Sequence, residues 1–108
     1  MNIFAPALEK KIAASGNIAV VVIDDAAKAL PLAEALLAGG VDVMELTLRT
    51  PVALDAIRAI AGRVKGMLVG AGTVLTPTQL KQVSDAGAAF AVAPGFNPRV
   101  VAAAKEMG

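Results

Sequence analysis

Four times along this chain a short apolar run gives way to a polar cap and then to a helix-forming segment. The runs are residues 18–23, 41–49, 67–70 and 89–93. They are followed by Asp24-Asp25, Thr50-Pro51, Thr76-Pro77 and Asn97-Pro98. A hydroxyl or amide satisfies a free amide at a helix start, and proline directly behind it gives up no needed donor. Thr76-Pro77-Thr78-Gln79 also has the pattern of a capping box. Glycines at Gly39-Gly40, Gly62 and Gly87 are the expected helix stops. Pro31 falls inside the first of these helices and predicts a kink there. Ahead of the first strand, Phe4, Leu8 and Ile12 recur every four residues, the spacing of a short amphipathic helix.

Strands that begin roughly 22 to 26 residues apart with helices between them require a parallel sheet of right-handed βαβ units. The 108 residues form one domain of class α/β, spanning 1–108. Two architectures fit: an open flavodoxin-type sheet, or half of a (β/α)8 barrel, since a whole barrel needs about 200 residues or more.

Composition narrows the chemistry. Hydrophobic residues make up 56% of the chain, but no apolar run approaches the roughly 20 residues that cross a bilayer. No signal peptide is visible, so a cytoplasmic location is expected. Without cysteine there is no thiolate or disulfide chemistry, and without histidine the commonest general base and metal ligand are missing. No metal and no cofactor are expected. Net charge is +1, the charges are scattered, and there is no Tyr or Trp, so nucleic acid and membrane surfaces are set aside as partners.

The second run carries the strongest functional signal. Between residues 41 and 49, Met44, Leu46 and Leu48 alternate with Val43, Glu45, Thr47 and Arg49. A strand covered on both faces normally reads as a continuous apolar run. A carboxylate, a hydroxyl and a guanidinium on one face are costly to bury unless they pair or meet a polar ligand. A ligand site and a structural Glu45–Arg49 ion pair both satisfy that requirement. Gly70-Ala71-Gly72-Thr73 follows the third run like the start of a dinucleotide fingerprint. Leu75 replaces the third glycine, however, and the next strand ends in Ala93-Pro94 without a ribose-binding acid. A loop where backbone meets ligand and a tight structural turn both remain open. Glu45, Arg49, Thr73 and Pro94 all fall at the carboxyl ends of their strands, where parallel α/β folds bind ligands.

These residues resemble a known family. Ala38-Gly39-Gly40-Val41, Glu45-Leu46-Thr47-Leu48-Arg49-Thr50, Val69-Gly70-Ala71-Gly72-Thr73-Val74, Asp85-Ala86-Gly87-Ala88 and Ala93-Pro94-Gly95 look like the N-terminal half of the 2-keto-3-deoxy-6-phosphogluconate (KDPG) aldolase family. The resemblance implies the first half, (βα)4, of a (β/α)8 barrel, usually trimeric and so a homo-oligomer. It implies metal-free aldol cleavage to pyruvate and glyceraldehyde 3-phosphate through a lysine Schiff base. Glu45 matches the general acid/base, and Arg49 and Thr73 match the groups that hold the pyruvate carboxylate. Thr47, Gly72 and Pro94 are then expected to line the site. The family's Schiff-base lysine sits on the sixth strand and its phosphate site on the last two units, whereas this chain ends after its fourth helix. The chain by itself is therefore expected not to cleave KDPG. The alternatives are a non-catalytic half-barrel that binds or self-associates, and a sister aldolase for another 2-keto-3-deoxy acid or 4-hydroxy-2-oxoglutarate. The first strand departs from the family, which often has proline and a basic residue there; this chain reads Ile18-Ala19-Val20-Val21-Val22-Ile23.

Overall fold

A computed structural model describes residues 4–108. Helix α1 (Pro6–Ser15) comes first, with proline in its opening turn and a left-handed Gly16 (φ 76°) ending it. Strand β1 (Ala19–Val21) follows, then a 3-10 turn at Ala26–Lys28 that runs directly into α2 (Ala29–Ala38). Strand β2 (Val43–Thr47), α3 (Ala53–Arg63), β3 (Leu68–Gly72), α4 (Pro77–Asp85) and α5 (Pro98–Met107) complete the order.

The sheet is parallel, in the order β1-β2-β3. Val20 stands beside Glu45, Glu45 beside Gly70, and Thr47 beside Gly72. Met44 and Leu46 of β2 join Val69 and Ala71 of β3 in one buried cluster with residues from α2, α3, α4 and α5. These four helices therefore pack on one face. A doubly wound sheet divides its helices between both faces and reverses its strand order, so the structure has the barrel arrangement. Alanine explains the high hydropathy: Ala29, Ala33, Ala53 and Ala56 are fully buried and let helix backbones sit close to the sheet. Met44, Leu46, Ile57 and Ile60 are buried completely, each contributing about 1.5–3 kcal/mol.

Several expectations need correction. The fourth run is a single bridge, Ala71 to Ala91, rather than a strand. It does run along β3, with Ala89 N–H donating to Val69 O (2.8 Å) and Val92 N–H to Ala71 O (2.8 Å). The left-handed Thr73 directly after Gly72 turns β3 off the ladder, so the strand pairing goes no further. The second run forms strand only over Val43–Thr47, so Leu48 and Arg49 belong to the turn that follows. Thr50 does not cap α3. Its hydroxyl donates to the Ile23 carbonyl, tying the ends of two neighbouring βα units together, and Val52 takes the cap position without a side-chain bond. Helix α3 passes through Gly62, and the left-handed residue is Gly66 (φ 91°) in the turn beyond. Pro31 lies in the first turn of α2, where the chain changes over from the 3-10 turn, rather than in the helix interior where it would force a kink.

The remaining caps follow the sequence pattern. Asp25 accepts from Ala27 N–H (3.0 Å), Thr76 from Gln79 N–H (3.1 Å) and Asn97 from Arg99 N–H (3.0 Å). Gln79 reaches back to Leu75 N–H (2.8 Å), one residue earlier than a capping box requires.

Candidate functional site

The sheet face away from the helices carries Val43, Glu45 and Thr47 of β2 and Gly70 and Gly72 of β3. Two neighbours fill the space left by the glycines. A Cβ on Gly70 would lie 2.6 Å from Phe90 Cδ2, so the Phe90 ring covers Gly70. Phe4 meets that ring edge-on at 6.3 Å. A Cβ on Gly72 would strike the Glu45 carboxylate, with Glu45 Cδ 2.8 Å away. The Glu45 carboxylate thus lies directly over Gly72, half-buried, on the concave face of the half-barrel. The two glycines belong to β3 and not to a loop, and they make room for a ring and a carboxylate rather than for a dinucleotide.

Thr73 follows immediately and is the only non-glycine residue with a positive φ (58°) among the described residues. A β-branched side chain rarely occupies this region, at a cost of about 1–3 kcal/mol. Hydrogen bonds on either side hold it there. Leu48 N–H donates to Gly72 O (2.9 Å), and Val74 N–H donates to Val92 O (3.1 Å). Strain of this kind is typical of residues aimed at a ligand. The kink sits at the carboxyl end of β3, beside the Glu45 carboxylate on Gly72.

Arg49 is exposed in the turn after β2, at the same end of the sheet. Among the described residues it makes no ion pair with Glu45; Asp55–Arg58 and Lys81–Asp85 do pair, both on helix surfaces. The structural-pair reading of these two side chains therefore fails. The burial argument for Arg49 fails as well, because the strand ends before it. Pro94 is exposed in the loop after the fourth segment. Thr47 is only 2% exposed, and its hydroxyl has no hydrogen-bond partner among the described residues. Phe90, which floors the concave face, escaped the sequence reading, and Phe4, expected as part of the first helix, lies ahead of α1 and packs on the Phe90 ring instead. The signal for Phe90 was its place on the fourth run beside a β3 stretch reduced to glycine. An apolar cleft of about 260 Å³ opens between α1, α4 and α5, lined by Phe4, Leu8, Leu80, Val83, Phe90 and Met107, but none of Glu45, Arg49 or Thr73 reaches it.

Comparison with known proteins identifies the family. The family model for KDPG and KHG aldolase matches residues 8–108. The KHG/KDPG aldolase of Escherichia coli (strain K12) is 54% identical over 87 residues, 81% of this chain and 41% of that protein. The 2-dehydro-3-deoxy-phosphogluconate aldolase of Dickeya dadantii is 49% identical over 98 residues, 91% of this chain and 46% of that protein. Among solved structures, KDPG aldolase from Legionella pneumophila, with pyruvate captured as a covalent carbinolamine intermediate, superimposes with a TM-score of 0.77 at 50% identity, covering 80% of this chain and 42% of that one. The chain thus spans less than half the length of these relatives. No helix among the described residues is long and apolar enough to cross a membrane. The chain belongs to the KDPG and KHG aldolase family.

Proposed function

We propose that these residues supply the acid/base and carboxylate-holding part of an aldolase site for 2-keto-3-deoxy-6-phosphogluconate, with pyruvate as the bound product. The observation that carries the reading is the Glu45 carboxylate lying over Gly72, without an ion pair, beside the left-handed Thr73. Glu45 is the general acid/base. It takes the proton from the substrate hydroxyl as the carbon–carbon bond breaks, and it returns a proton to the pyruvate-derived carbon. The electron pair of that bond needs an acceptor, which the family supplies as the iminium of a lysine Schiff base. Arg49 offers a planar fork to the pyruvate carboxylate, and the Thr73 hydroxyl adds a second bond. Thr47, Gly72 and Pro94 line the site.

Each of the six lysines lies on a helix surface or in a turn, and all are exposed. Our reading is therefore that the 108 residues bind pyruvate without forming the imine. Relatives named for both KHG and KDPG keep 4-hydroxy-2-oxoglutarate as a second substrate of the same chemistry. Self-association belongs to the same proposal. On the concave face β1 shows exposed Val20 (64%), and exposed Val22 (52%) follows just past its end, beside an open strand edge that carries no charge. The functional test is an NMR titration with pyruvate. Saturable shifts at the Glu45, Gly72 and Thr73 amides, lost in Arg49→Ala, are expected. No shift, or shifts confined to the amino ends of the strands, would overturn the proposal.

A further inference from the structure

Leu75 is held by side chains at both of its backbone groups. Its N–H donates to Gln79 Oε1 at 2.8 Å, and its carbonyl accepts a longer bond from Asn97 Nδ2 at 3.5 Å. Gln79 lies in the first turn of α4 and Asn97 is the cap residue of α5, so two helix starts close on one residue. That residue stands two places after the left-handed Thr73 (φ 58°). Between them, Val74 N–H donates to Val92 O at 3.1 Å. Both helices have a cap without these contacts. Thr76 serves α4, its hydroxyl accepting from Gln79 N–H at 3.1 Å. Asn97 serves α5 with the other end of its amide, Oδ1 accepting from Arg99 N–H at 3.0 Å. A residue held in a sparsely populated conformation keeps it only where its surroundings over-determine it. The two amides add that constraint on the side of Thr73 that leads to α4.

We infer that Gln79 and Asn97 are positioning residues for Thr73: by clasping Leu75 they hold the Thr73 turn, and with it the hydroxyl, where the pyruvate carboxylate needs it. The inference deepens the aldolase reading and rests on it for the ligand, but not for the clasp. The two amides do opposite jobs, because Leu75 N–H needs an acceptor and Leu75 O needs a donor. A carboxylate at position 79 still supplies an acceptor. A carboxylate at position 97 still caps α5, but it sets an acceptor against the Leu75 carbonyl. Negative charge at a helix start is favourable, so neither acid weakens its own helix.

The test compares the wild-type chain with Gln79→Ala, Gln79→Glu and Asn97→Asp at neutral pH, where both carboxyls are ionised. Urea unfolding reads the helices, the intraresidue amide–Hα NOE of Thr73 reads its positive φ, and titration reads pyruvate affinity. The NOE should be strong in wild type and Q79E, and weaker in Q79A and N97D. Pyruvate binding should weaken about threefold in Q79A and N97D, the worth of a partly exposed hydrogen bond, and return in Q79E. The N97D unfolding midpoint should match wild type, which separates the clasp from the cap. An N97D chain with the wild-type NOE, a Q79E chain that behaves like Q79A, or an NOE loss in N97D matched by a fall in its midpoint would overturn the inference. If the NOE follows the expected pattern but the wild type does not bind pyruvate, the aldolase reading falls and the clasp stands. If the NOE differs but wild type and N97D bind pyruvate equally, the positioning role falls and the aldolase reading stands.

Discussion

Gly70 and Gly72 occupy the same face of one strand, two residues apart, yet alanine at the two positions should have opposite consequences. Neither has a positive φ, so the effect of a methyl group is steric. At Gly70 the new Cβ would meet the Phe90 ring, 2.6 Å from Cδ2. That ring is buried and meets Phe4 edge-on, so it can yield only by turning into the cleft between α1, α4 and α5 and disturbing that contact. Overpacking of this kind costs about 1–3 kcal/mol, and reduced freedom of the unfolded chain returns about 0.4–1 kcal/mol. G70A should therefore lose about 1–2 kcal/mol, roughly 5–15 °C in Tm for a chain of this size. At Gly72 the new Cβ would meet the far end of the half-exposed Glu45 side chain, which can swing towards solvent. G72A should stay within about 1 kcal/mol of wild type but move the Glu45 carboxylate off the strand. Urea and thermal unfolding report the stabilities, and the carbon-13 resonance of the Glu45 carboxyl reports its displacement. Equal destabilisation of both variants, or an unmoved Glu45 resonance in G72A, would refute the steric account.

Borohydride reduction with pyruvate should leave no covalent pyruvyl adduct on any of the six lysines, because all six are exposed on helices or turns; mass spectrometry showing an adduct would contradict this. Ile60→Ala, at a fully buried position of α3, should cost about 2–5 kcal/mol in urea unfolding, and a cost below 1 kcal/mol would mean that the helix does not pack as described. Asn97→Ala removes the cap of α5 and should cost about 0.5–2 kcal/mol, recovered by Asn97→Asp. Sedimentation should show concentration-dependent association through β1 and the concave face; introducing Val20→Lys should weaken it, and a wild-type monomer at high concentration would oppose it.

The repeating units were legible because their signals are local. Thr76 and Asn97 cap the helices that their Pro-following pattern announces, and the glycine at 87 is left-handed where a helix stop needs it. The choice between an open sheet and a half-barrel was legible only through the family resemblance, not through any local signal. It depends on all four later helices burying their apolar stripes on the Met44–Leu46 face, which no single segment encodes. Thr50 misled because a tertiary acceptor, the Ile23 carbonyl, competes with the local amide a cap would serve. At the site, the alternation of Glu45 and Thr47 gave the shared face correctly. Arg49 was read as strand because alternation in the letters outlasts the hydrogen-bonded ladder. The left-handed Thr73 leaves no trace in sequence pattern, since threonine is among the residues least suited to that conformation.

Crystals of the 108-residue chain soaked in pyruvate test the central claim most directly. The account predicts the pyruvate carboxylate between the Arg49 guanidinium and the Thr73 hydroxyl, with the keto end towards Glu45 over Gly72. Pyruvate bound elsewhere, or a Glu45 carboxylate turned to the helix-covered face, would contradict it.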